Sequence, residues 1–187
     1  MQKLLLLFVL LFSINLFPQT YSYDIYFENY YFLAGDAFYF DVILRSEYGF
    51  TLDAYQGIIE FNKELDPTGL YYVTGSSDLV NEPGFLQLTE DQIRFASGVG
   101  TDVIDRDEIR IGTFILARDG NFPEPWIFDF DWVIGGGLGT IILADGFQDI
   151  TQYGVFSDLY YEVIGDGFSN FSNYPNPFNP ATTVIFH

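Results

Sequence analysis

Ala37-Phe38-Tyr39-Phe40-Asp41-Val42-Ile43-Leu44-Arg45 reads with a period of two. Phe38, Phe40, Val42 and Leu44 fall on one face, and Tyr39, Asp41 and Arg45 on the other. Successive side chains of an extended strand point to opposite faces, so this is the pattern of a half-buried β-strand. Ala54–Phe61 repeats it with Tyr55, Gly57, Ile59 and Phe61. Trp126–Ile134 does so again: Trp126, Phe128, Phe130 and Trp132 alternate with Ile127, Asp129, Asp131 and Val133.

Outward from these three segments the chain is a series of short runs broken by turn residues. Tyr23–Phe32, Leu70–Val73, Phe85–Leu88, Gln92–Ala96, Thr140–Leu143 and Leu159–Ile164 are further strand candidates. Ile109–Ala117 is apolar almost throughout and reads as a strand covered on both faces. Asn62–Gly69 reads as a turn, Gly98–Asp107 as a Gly/Asp-rich loop, and Gly135-Gly136-Gly137 as a break. No stretch carries a convincing helical period. About eight to ten short strands with turn signals between them predict an all-β, Ig-like or jelly-roll β-sandwich.

Composition agrees. Of 187 residues, 20% are aromatic, including 21 Phe and 14 Tyr, which favours strands. Asp and Glu number 26 against seven Lys and Arg, a net charge of −19. A surface this acidic repels phosphate backbones, which argues against nucleic acid as a partner. Cysteine is absent, so disulfides, thiol catalysis and cysteine-ligated zinc are excluded. The single His is His187, so no Ser-His-Asp triad can be built. P-loop, G-x-S-x-G and HExxH motifs are also missing. The expectation is a chain that is not an enzyme.

Both ends read as addresses. Lys3 precedes the apolar run Leu4–Phe12, which weakens at Ser13 and Asn15. That run is too short to span a bilayer and has the layout of a secretory signal peptide over residues 1–22. Thr20 and Ser22 supply small side chains for a cut after Ser22. No later stretch reads as a transmembrane span. Residues 23–164 form the sandwich, and 165–173 a Gly/Ser/Asn-rich linker. This leaves about 145 residues for one domain with a full core.

Residues 174–187 begin with Tyr174-Pro175-Asn176-Pro177-Phe178-Asn179-Pro180, followed by the β-branched run Thr182-Thr183-Val184-Ile185-Phe186. Three prolines remove three backbone donors and hold their predecessors extended. The run closely resembles the opening of the C-terminal sorting domain of the type IX, or Por, secretion system. Members of that family continue for several more strands, so the resemblance implies a truncated start of the module. It further implies passage through the periplasm, engagement of the type IX machinery, and release or attachment at the outer-membrane surface.

The middle of the chain resembles cohesin-like and carbohydrate-module-like sandwiches over roughly residues 30–150. The likeness rests on Gly35-Asp36 with Phe38, Phe40 and Val42, and on Tyr55, Ile59, Phe61 and Asn62. It extends to Ile109, Gly112 and Phe114, and to Trp132. It implies a non-catalytic module for protein interaction or structural display, with a surface protein as partner. The alternative is a carbohydrate-binding module acting on extracellular polysaccharide.

Two constellations could carry binding chemistry. Asp102, Asp105, Asp107 and Glu108 crowd one loop, and hard oxygen ligands of this kind suit calcium. Their spacing is not that of an EF-hand, and Arg106 and Arg110 interleave, so a solvated acidic loop is the other reading. No other cofactor is expected. The aromatic row from Trp126 to Trp132 could stack sugar rings, with the two Trp as ligand contacts. The same row could fill the core, where each ring gains ~2–3 kcal/mol on burial.

Overall fold

The computed structural model describes residues 20–105, 107–164 and 168–170. Among them are fourteen strands and no α-helix. The strands are β1 (Tyr23–Leu33), β2 (Ala37–Ser46), β3 (Phe50–Phe61), β4 (Gly69–Tyr72), β5 (Pro83–Leu88), β6 (Gln92–Ser97) and β7 (Asp102–Ile104). They continue as β8 (Glu108–Ala117), β9 (Trp126–Trp132), β10 (Ile141–Ala144), β11 (Gln148–Asp149), β12 (Gly154–Phe156), β13 (Leu159–Ile164) and β14 (Phe168–Asn170). One sheet has five strands in the order β12-β1-β2-β8-β4. The other has nine: β11-β10-β3-β9-β13-β14 form its path, β7 and β6 pair with β3, and β5 extends it beyond β6. The pairings are antiparallel except β12 with β1.

The two sheets close on the apolar faces that alternation marked out. From β2, Phe38, Phe40, Val42 and Leu44 are buried; from β3, Tyr55, Ile59 and Phe61; from β9, Phe128, Phe130 and Trp132. Rings meet across the sheets. Phe38 stacks on Phe128 at 4.0 Å and 10°, and Phe27 on Trp132 at 5.4 Å and 27°. Phe40 meets Phe130 edge-on at 5.4 Å. Edge and offset contacts of this kind add to area burial, so the high aromatic content is spent on the core.

Gly57 lies on the buried face of β3, opposite Phe95 of β6. A Cβ there would sit 2.1 Å from Phe95 Cζ, so the glycine leaves room for the ring to fold across its neighbour.

The structure departs from the sequence reading at β7 and β8. The expected loop 98–107 contains β7, which pairs with the start of β3 through Leu52 and Asp102. Strand β8 is covered on one face only: Phe114 and Leu116 are buried, while Thr113, Ile115 and Ala117 are half-exposed. Tyr21 and Ser22, assigned to the leader, are built into the sandwich. The Tyr21 ring is buried against Phe50, its hydroxyl donates to Asp145 Oδ2 at 3.0 Å, and the Ser22 carbonyl accepts from Glu47 N. Within the expected linker, Phe168–Asn170 pairs with β13. The sorting motif Tyr174–Pro180 and the apolar leader run lie outside the described residues. No helix of the described residues is long and apolar enough to cross a membrane.

Candidate functional site

The outer face of the nine-stranded sheet is built by β5, β6 and β3. Register places Phe85, Ala96 and Gln56 in one cross-strand row, and Gln87, Arg94 and Ile58 in the next. These rows line a shallow depression of about 220 Å³, with Leu138 on its far side. Phe85 is 56% exposed and Leu138 69%, whereas Ile58 beneath them is buried. Two apolar side chains therefore stand in solvent over an apolar floor.

The far wall is the glycine loop after β9. Gly135 and Gly136 have φ of +82° and +74°, a left-handed conformation that only glycine adopts cheaply. The loop returns at once over β3, because Thr140 N donates to the Val133 carbonyl at 2.8 Å. Its position is fixed by Gln56 Nε2 donating to the Gly139 carbonyl at 2.9 Å and by Ile58 N donating to Thr140 Oγ1 at 3.1 Å. On the opposite side, the Arg94 guanidinium donates to Gln92 Oε1 at 2.7 and 3.1 Å. It is thus held beside the depression without a carboxylate partner among the described ion pairs.

One flank of this face is acidic. Glu60 of β3 stands directly opposite Asp131 of β9, and Asp129 follows on the same face. Like charges directly across a sheet are destabilising. Burial, then the charges of Asp131 and Asp158, hold the Asp129 carboxyl above the usual range. Asp158 is raised by desolvation against the lowering effect of its bond from Trp132 N, with Asp131 adding to the rise.

The residues singled out from sequence fall elsewhere. Trp126 and Trp132 point between the sheets. Trp132 is 8% exposed and donates through Nε1 to the Ser157 carbonyl. Trp126 packs on Phe32 at 5.0 Å and donates to the Phe122 carbonyl. Neither presents a flat ring to solvent, because alternation turns all four aromatics of β9 inward.

Asp102, Asp105, Asp107 and Glu108 are not gathered together. Asp102 is buried, and its two carboxylate oxygens accept from Val80 N at 2.7 Å and Asn81 N at 3.0 Å. Asp105 and Asp107 are exposed. Glu108 opens β8 on the five-stranded sheet, where it accepts from the Tyr26 hydroxyl of β1. Among the described residues no group of three acidic or imidazole side chains is placed to hold a metal ion. Phe85 and Leu138 were missed from sequence, since nothing local distinguishes an exposed Phe from an inward one.

This two-sheet architecture is similar to that of cohesin β-sandwich modules. The structure of the third cohesin ScaC in complex with the ScaB dockerin, from Acetivibrio cellulolyticus, is similar at a TM-score of 0.53 and 11% identity. The match covers 76% of this chain and 99% of that one. A chain of the CaDoc0917–CaCohA2 complex is similar at 0.51 and 13% identity, over 76% of this chain and 100% of that one. No protein-family profile matches the sequence, and no curated protein matches it.

Proposed function

We propose that this chain is a non-catalytic protein-interaction module that works outside the cell and engages its partner through the β5–β6–β3 face. The observation that carries this reading is the depression between Phe85 and Leu138 on a fold shared with a cohesin solved in a dockerin complex. At about 220 Å³ the depression is smaller than the ~300–1,000 Å³ of a small-molecule site. It suits one anchoring side chain of a protein partner, with Phe85, Leu138 and Arg94 as the residue types around it. Interfaces concentrate their energy in such central apolar and Arg contacts.

The acidic flank at Glu60, Asp129 and Asp131 favours a basic surface on the partner. Long-range attraction of that kind accelerates encounter and weakens with salt. The apolar leader run and the Tyr174–Pro180 motif support export, with the type IX machinery reading the tail. An address at both ends suits a module displayed at or released from the outer-membrane surface. The test is capture of partners from the extracellular proteins of the source cells. The wild type should retain a partner that Phe85→Asp and Leu138→Asp lose. Equal retention by all three would show that the partner does not dock on this face.

A further inference from the structure

The opposite surface of the sandwich carries a second arrangement. Tyr31 of β1 pairs with Tyr39 of β2, Tyr39 with Ile115 of β8, and Ile115 with Tyr71 of β4. Four side chains therefore stand at one register position across four adjacent strands, on the outer face of the five-stranded sheet. Leu33, Ala37, Ala117 and Gly69 form the next row in the same way. None of these eight positions is charged, in a chain with 26 acidic and seven basic residues. Tyr31 is 50% exposed, Leu33 50% and Tyr71 60%.

The rings are held in place. Tyr31 and Tyr39 stack at 4.7 Å and 5°. Tyr71 lies over Gly69: a Cβ at Gly69 would meet the Tyr71 ring and hydroxyl at 3.1 Å. Its outer side is left to solvent. Tyr39 and Tyr71 are two strand spacings apart, roughly 9.6 Å.

We propose that this tyrosine row is a binding surface for a neutral polysaccharide chain. The C–H face of a pyranose packs on an aromatic ring, and its hydroxyls bond to phenolic hydroxyls at the ring edge. A straight row across strands matches an extended chain of sugars, with Tyr39 and Tyr71 about a disaccharide apart. The absence of charge decides the class, because an acidic polysaccharide or a charged peptide finds no ion pair in either row.

Native affinity electrophoresis tests this with xylan, galactomannan, mixed-linkage β-glucan and alginate in the gel. We expect at least one neutral polymer to retard the protein and alginate to leave it unretarded. Tyr71→Ala and Tyr31→Ala should each weaken retardation about tenfold. Tyr71→Phe should keep most of it, and Phe85→Asp should match the wild type. Tyr31→Ala gives up its stack on Tyr39, so the alanine variants should melt a few degrees lower yet stay folded at the temperature of the gel. The proposal is overturned if no neutral polymer retards the chain. Retardation that both alanine variants retain, or alginate binding of equal strength, overturns it too.

Discussion

Replacing Gly57 by Ala should destabilise the domain, although the same change in an open strand would help. Glycine inside a strand costs ~0.5–1 kcal/mol relative to alanine through lost chain entropy. Here the new methyl would lie 2.1 Å from Phe95 Cζ and 2.5 Å from Cε1. That is roughly 1.4 Å inside the optimum carbon–carbon separation. The ring has nowhere to retreat: Phe95 is 1% exposed and packs on Phe114 at 4.9 Å and Trp132 at 6.2 Å. Overpacking of this kind costs ~1–3 kcal/mol; a contact this short against a trapped ring falls at the upper end, so the net loss is about 2 kcal/mol after the entropic gain. The melting midpoint should fall by about 2–8 °C. Urea unfolding followed by tryptophan fluorescence measures the loss. In a Phe95→Ala background, itself costing ~3–5 kcal/mol, Gly57→Ala should become neutral or stabilising. A neutral Gly57→Ala in the wild type would refute the contact.

Three further outcomes follow from particular groups. Glu28, Asp129 and Asp158 all have carboxyls raised above the usual range, chiefly by desolvation. The folded chain therefore holds more protons than the unfolded one across that window, and stability falls as pH rises through the raised values. Thermal melts should give a higher midpoint at mildly acidic than at neutral pH, and Asp129→Asn should flatten the slope; an opposite slope from these groups would contradict the assignment. Asp102→Ala strands two backbone donors, Val80 N and Asn81 N, and should cost ~3 kcal/mol in chemical denaturation. Exported protein sequenced from its N-terminus should begin at or before Tyr21, not at Tyr23, because Tyr21 is packed in the sandwich; a start at Tyr23 with unchanged stability would show that this packing is dispensable.

The strands that alternation marks most clearly, β2, β3 and β9, were legible because one face of each is an unbroken apolar row between the sheets, while the other is mixed, with Asp41, Ile43 and Ile58 buried among exposed neighbours. Alternation also grouped the four aromatics of β9, yet it could not say whether that face met the other sheet or solvent. Strand β7 was hidden because Asp102 is buried by two backbone bonds from a loop some twenty residues earlier, a partnership with no sequence period. Strand β12 is three residues long and pairs in parallel with the start of the domain, so only the fold reveals it. Both proposed surfaces depend on register between distant strands. Phe85, Ile58 and Leu138 come from three separate segments, and Tyr31, Tyr39 and Tyr71 align only once β1, β2, β8 and β4 are paired.

A protein partner docked on the β5–β6–β3 face, as proposed, would shield that sheet from solvent. Hydrogen–deuterium exchange of the isolated domain, with and without a partner captured from extracellular protein, reads that shielding strand by strand. Exchange should slow in β5, β6 and the loop from Gly135 to Thr140, an effect lost in Phe85→Asp and weakened by added salt. Protection confined to β1, β2 and β4, or none that Phe85→Asp removes, would contradict docking on this face.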